Sequence, residues 1–320
     1  YNAGGTAGSS SSCPLANNGF SLSNATFSKW AAGSATGTQY AEGASYTFPN
    51  TAWATNKTYS SMYAYWNANA GYHNTDGGCV SANTCTVTFK TGNTTLGTQN
   101  FTYGTAQSLT AIASLSNVPA NLTNYWTFYG WSTGADATRE YTNGQSLSNL
   151  CTTNGGSITL YGIWQRDVSF KYYNSATATS TTTSTRTQSY YNTNTTTASA
   201  NSVSTYALYT STQASSGWAP LGWATSTSAT SASVEQTGST TTTVAPAWSA
   251  AAPTYYAVYS RTPEVSYAKN CSSATGSTSN STCGAQTYNA GGTADSSSSC
   301  TLANNGFSLS NATFSKWAAG

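Results

Sequence analysis

The chain has 320 residues, ten Lys and Arg against eight Asp and Glu, a net charge of +2, and only 6% charged residues, where ordinary soluble domains carry roughly 25%. That balance gives no electrostatic case for nucleic acid or an acidic membrane as partner. No apolar run nears the roughly 20 residues needed to cross a bilayer as a helix, and aromatic residues at 13% of the chain demand packed modules, not disorder.

In chain order, the first feature is one that returns. YNAGGTAGSSSSCPLANNGFSLSNATFSKWAAG at residues 1–33 reappears as YNAGGTADSSSSCTLANNGFSLSNATFSKWAAG at residues 288–320, with Gly8 replaced by Asp295 and Pro14 by Thr301. Low complexity does not explain the match, because Cys13/Cys300, Phe20/Phe307, Phe27/Phe314, Lys29/Lys316 and Trp30/Trp317 all keep register. The expectation is one period plus an overlap, cut from a longer chain of successive near-identical copies.

A shorter, degenerate period lies inside the long one. Each module opens on an alternating strand: Val87 and Phe89 in TVTFK, Val168 and Phe170 in VSFKYY, Val265 and Tyr267 in VSYAK. Period-two alternation places those side chains on one sheet face. An aromatic corner ending in Trp follows (Thr127 to Trp131, Ala219 to Trp223, Thr26 to Trp30), then a turn at Gly144, Gly238 or Gly43 that needs positive φ. The closing strand is TLYGIW, TYYAVY or SMYAYW, with a small fourth residue (Gly162, Ala257, Ala64) on which the corner Trp is expected to pack. Trp30, Trp66, Trp131, Trp164, Trp223 and Tyr259 are read as core.

These features divide the chain into the end of a module at 1–66, a cysteine-bearing loop at 67–85, modules at 86–165 and 168–260, and the start of the next module at 265–320. Arg166-Asp167 and Arg261-Thr-Pro-Glu264 read as short junctions. Ser175 to Thr185, all Ser, Thr and Ala, reads as a long hairpin loop or a glycan carrier.

Seven cysteines become six per period once Cys13 and Cys300 count as one position. An even count in Ser/Thr-rich modules points to disulfides and an oxidising, extracellular location. If the opening strand at Val265 forms a hairpin with its successor, Cys271 faces Cys283; bridges kept within modules then join Cys85 with Cys151 and Cys13 with Cys79. The competing scheme closes Cys79 on Cys85 and sends Cys13 or Cys300 to another module. In either scheme Cys300 takes a partner outside this stretch. Asn-x-Ser/Thr triplets start at Asn24, Asn56, Asn93, Asn100, Asn121, Asn194, Asn270, Asn280 and Asn311. Covalent glycans there would hydrate a surface poor in charge.

The opening strand, the Tyr-Gly turn of Phe101 to Leu109, Tyr125-Trp-Thr-Phe-Tyr-Gly-Trp131, Tyr141-Thr-Asn-Gly-Gln-Ser-Leu147 and Thr159-Leu-Tyr-Gly-Ile-Trp164 together resemble the Listeria-Bacteroides repeat, the B-repeat type of internalin-like bacterial surface proteins. Thr86 to Trp164 carries the full order of motifs; the other two modules keep the corner and the closing strand. The resemblance implies a mainly β chain of small β-grasp-like or β-sandwich-like modules in tandem as an extended fibre, found on secreted or cell-surface proteins, with adhesion and stalk building as function and no catalytic residues to carry over.

Other chemistries carry less. His73, Asp76 and Cys79 lie close in sequence, but a zinc site needs four matched ligands and oxidised cysteine is no thiolate. No third group or oxyanion donor accompanies a nucleophile, no acidic pair sits in a glycosidase context, and Asn2-Ala-Gly-Gly5 lacks the Lys of a phosphate loop. The chain therefore reads as a non-enzyme without catalytic, cofactor or metal residues, partnered by neighbouring repeats and other copies in a filament. Two alternatives stand: a carbohydrate-binding adhesin module using Trp131, Trp223, Tyr63, Tyr161 and Tyr256, the last two being the better surface candidates, and an accessory repeat region of a secreted enzyme.

Overall fold

A computed structural model describes residues 12–48, 61–75, 78–209, 217–292 and 298–319. Asn56 and the Gly8/Asp295 difference lie outside the described residues. The chain is mainly β, with one α-helix, Ala120–Tyr125, and one 3-10 turn, Ile112–Ser114, among the described residues. It divides into two compact units, Tyr1–Val118 with Gly130–Gly162, and Pro119–Tyr129 with Ile163–Gly320.

In the first unit, Ala25–Ala32 is the centre of a three-stranded antiparallel sheet between Gln39–Tyr40 and Met62–Ala68, and Ser12–Pro14 pairs with Ser45–Thr47. The stretch read as a loop at 67–85 holds a hairpin, Tyr72–Asn74 against Val80–Ala82. The opening strand Thr84–Thr91 alternates as expected, burying Cys85, Val87, Phe89 and Thr91. It pairs antiparallel with Thr94–Thr102 on one edge, and on the other runs parallel to the start of Gly156–Tyr172, with Val87 opposite Ile158 and Phe89 opposite Leu160.

The second unit repeats that arrangement. Its opening strand is the later half of Gly156–Tyr172, where Trp164, Arg166, Val168, Phe170 and Tyr172 share the buried parity. One edge pairs antiparallel with Thr182–Asn192; the other runs parallel to Thr254–Arg261, with Phe170 opposite Tyr255. The closing strand in turn pairs antiparallel with the corner strand Ala219–Ala224. The core gathers Val168, Phe170, Tyr172, Val203, Leu208, Trp223, Val244, Tyr255, Ala257 and Tyr259.

Two readings change here. Arg166 and Asp167, read as a junction, are strand residues paired with Gln188 and Thr187. The Ser/Thr/Ala tract is a loop only in part: from Thr182 onward it is strand, since β-branched Thr suits a pleated backbone and the neighbouring 164–172 edge supplies the ladder partners.

Candidate functional site

The site that the repeats build is the corner. In the second unit Trp223 stands across the ladder from Ala257; in the first, Trp30 stands across from Ala64. Both corner strands bulge at the third residue of the five-residue corner, Leu221 and Ser28, where the register shifts between Pro220 and Gly222 and between Phe27 and Lys29. A bulge re-aims the following side chain, here the Trp. An aromatic ring meets the corner indole at three places: Phe89 with Trp131 at 4.9 Å, Phe170 with Trp223 at 5.1 Å, and Tyr267 with Trp317 at 4.4 Å; the first two rings lie on strands, whereas the strand expected through Tyr267 ends at Val265. Gly43, Gly144 and Gly238 in the turns that follow adopt φ of 68°, 68° and 61°.

The near-identical ends fold alike where they are self-contained. Trp30 Nε1 donates to the Ala16 carbonyl at 2.8 Å, and Trp317 Nε1 to the Ala303 carbonyl at 2.9 Å. The Asn18 side chain brackets Phe20 as Asn305 brackets Phe307. Phe20 meets Trp30 at 6.3 Å and 79°, Phe307 meets Trp317 at 6.2 Å and 80°, and Asn24 and Asn311 both take φ of 60°. Fifteen or so residues thus carry their own local fold.

Two disulfides are present. Cys85 bonds Cys151, and Cys283 bonds Cys300. The expected Cys271–Cys283 bridge is absent because of register: Val265 pairs with Ser281, so Cys283 lies beside Pro263, to whose carbonyl its N–H donates at 2.9 Å. Gly284 N–H donates to the Ser299 carbonyl at 3.1 Å and thereby brings Cys300 alongside. Cys300 therefore has its partner within the chain. Neither Cys13–Cys79 nor Cys79–Cys85 forms: Cys13 sits opposite Tyr46 at an exposed strand, Cys79 closes the Tyr72–Ala82 hairpin beside Thr75, and both are exposed free thiols. Cys271 is also free; its hydrogen bond with Ser273 pulls its thiol below the ordinary value.

A second cluster holds the 246–250 loop in the second unit. Arg166 is 8% exposed and donates from Nε to Gln188 Oε1 at 2.9 Å, and through its two terminal nitrogens to the carbonyls of Ala250, Ala247 and Pro246. Its guanidinium lies 4.2 Å from the Trp126 ring centroid, and Trp126 Nε1 donates to the Trp248 carbonyl at 2.9 Å. Desolvation lowers the Arg166 pKa, with Tyr255 opposing; the charge is met by carbonyl dipoles and a ring face. Sequence reasoning missed this residue by treating it as a junction. The signal was parity, since Arg166 sits two residues before Val168 on the core-facing register.

Gln236 is a similar hub for the corner. Its Oε1 accepts from Trp223 Nε1 at 2.7 Å and Thr205 Oγ1 at 2.6 Å, while its Nε2 donates to the carbonyls of Tyr206 and Thr240. All four hydrogen-bonding positions of that buried amide are used.

The remaining candidates separate cleanly. Trp30, Trp66, Trp131, Trp164, Trp223 and Tyr259 are all buried, at 0–8% exposure. Of the rings weighed as a sugar-stacking face, Trp131, Trp223 and Tyr161 are buried, Tyr256 is half-buried and Tyr63 is 45% exposed. Tyr161 is not the surface residue that alternation implied: Leu160 through Trp164 are buried without a break, so both faces of this strand are covered. Asn24, Asn93, Asn100, Asn194, Asn270, Asn280 and Asn311 are exposed, and Asn121 is half-buried on the helix. His73 Nδ1 lies 3.1 Å from Asn83 Oδ1. Among the described residues no cluster of His, Cys, Asp and Glu could hold a metal, and no helix is long and apolar enough to cross a membrane. Asp76 lies outside the described residues. No protein-family model, curated protein or solved structure matches this chain.

Proposed function

We propose that this chain is one period, with an overlap into the next, of a structural tandem-repeat polypeptide, forming an extracellular, glycosylated and disulfide-stapled filament or adhesin stalk from β-grasp-like modules. The observation that carries the reading is the corner built twice, Ala16–Trp30 and Ala303–Trp317, with the same hydrogen bonds, ring contacts and left-handed Asn. A local fold that recurs in near-identical sequence at both ends is the expected mark of successive copies, whose stability adds through module and nearest-neighbour terms.

Disulfides fit an oxidising compartment, and exposed Asn-x-Ser/Thr triplets on a surface with few charges fit a sugar coat. Its partners are neighbouring repeats and other copies of the chain in a filament, and the location is the cell surface. Burial of Trp131, Trp223 and Tyr161 leaves the sugar-binding alternative without a row of exposed rings. Intact mass and negative-stain microscopy of native material test the proposal. The expected result is a chain of several periods, heavier than its polypeptide by glycan, in thin filaments; a glycan-free chain of a single period, particulate in the microscope, overturns it.

A further inference from the structure

The twin corners do not have the same neighbours, and the differences are complementary. Ala25–Ala32 is paired along its length with Met62–Ala68, Ala25 opposite Ala68 and Trp30 opposite Ala64. The matching Ala312–Ala319 has no strand partner among the described residues beyond the Leu309–Ala312 bridge. Phe27 packs edge-on against Trp66 at 5.7 Å, whereas its twin Phe314 is 46% exposed. Trp30 is 7% exposed; Trp317 is only half-buried.

The first corner lacks in turn what the second has. Tyr267 covers Trp317 at 4.4 Å and its hydroxyl accepts from Ala303 N–H at 2.7 Å. Thr275–Gly276 pairs with Phe307–Ser308, and Cys300 is bonded to Cys283 while its twin Cys13 is a free thiol. Each corner therefore holds half of one module's contacts: partners that follow it in sequence at one end, partners that precede it at the other.

The two other modules show how the halves join. In both, the opening strand has an antiparallel partner on one edge and the closing strand, parallel, on the other, with Phe89 opposite Leu160 and Phe170 opposite Tyr255. Glu264–Val265 has its antiparallel partner, Ser281–Thr282, and its other edge carries no strand among the described residues.

We propose that residues 264–267 and 312–319 form a strand-acceptor site, and that its occupant is the strand Met62–Ala68 of a second copy of this sequence. That strand enters between the 264–267 segment and the 312–319 segment, parallel to the first and antiparallel to the second, and draws both, which carry strand only at Glu264–Val265, into its ladders. Its Met62 lies opposite Tyr267, as Tyr255 lies opposite Phe170, and its Ala64 lies opposite Trp317, as Ala64 lies opposite Trp30 in this chain. The incoming Trp66 covers Phe314. The proposal rests on the tandem reading above and makes the module boundary, not the module, the place where copies are joined: every copy is finished by the next.

The test is hydrogen exchange on the full 320-residue chain against the same chain continued by a second run of residues 34–82. Lys316→Arg, at an exposed position, gives the 312–319 peptide a mass distinct from its twin. Exchange in 312–319 is expected to slow by about tenfold or more on extension. Placing Ala64→Trp in the added run alone, where the methyl must lie against Trp317, should abolish that protection, while the unchanged residues 25–32 report that the rest of the chain is folded. Unchanged exchange on extension, or protection that survives Ala64→Trp, overturns the proposal. Because this engineered chain is read independently of native chain length, its failure is distinguishable from failure of the tandem reading.

Discussion

Trp223 and Ala257 face each other across an antiparallel ladder, both with no exposed surface. The small residue in the middle of an otherwise bulky closing strand leaves room for the indole, and the indole closes the core over Phe170. Enlarging the methyl pushes a fully buried Trp against Gln236, which has no spare hydrogen-bonding position. Ala257→Leu should therefore destabilise by about 1–3 kcal/mol, read as a lower urea midpoint with unchanged slope; a neutral outcome would show that the pair is not in tight contact.

Arg166 is expected to be the costliest single polar residue to remove. Its loss leaves Gln188 Oε1 and the carbonyls of Ala247 and Ala250 without their donor, which outweighs the relief of no longer burying a charge. Arg166→Met should cost about 3 kcal/mol. Arg166→Lys keeps the charge but neither the planar fork nor the stacking on Trp126, and should fall between Met and wild type in chemical denaturation.

The two disulfides close chain segments with sequence separations of 66 and 17 residues. On chain-entropy grounds, the Cys85→Ser/Cys151→Ser double variant should lose about 4 kcal/mol and the Cys283→Ser/Cys300→Ser variant about 3 kcal/mol. Peptide mapping without reduction should recover both pairs, with Cys13, Cys79 and Cys271 of the isolated chain alkylated.

Alkaline pH should unfold the second unit through the buried Tyr259 and the half-buried Tyr288. Burial, reinforced by Tyr173, pushes the Tyr288 phenol from 10.0 up to about 12, and burial raises Tyr259 further. The folded state thus holds a proton that the unfolded chain releases above pH 10. The contribution is full below pH 10 and is lost as pH rises to about 12. Tyr288→Phe, which cannot ionise, should flatten that part of the stability–pH curve; an unchanged slope would remove Tyr288 as its source.

How much of this was legible in the chain depends on distance along it. Strand alternation at Val87 and Phe89 and the positive φ of Gly43, Gly144 and Gly238 are set by neighbours a few positions apart, so residue order alone determined them, whereas the meeting of Trp223 with Ala257 and of Trp30 with Ala64 needs two strands to pair in one register. Residue order also determined the repeated corner, whose hydrogen bonds from Asn18 and Trp30 close within 14 residues. Disulfide pairing, the covering of Tyr161 on both strand faces, and the carbonyl cage of Arg166 were decided only in three dimensions. Each depends on which distant strand arrives and in which register: one ladder offset puts Cys283 beside Pro263 rather than Cys271, and a cage built from a loop some 80 residues away leaves no trace in local order. Period and turn preference are short-range properties of the backbone; the choice of partner is made by packing.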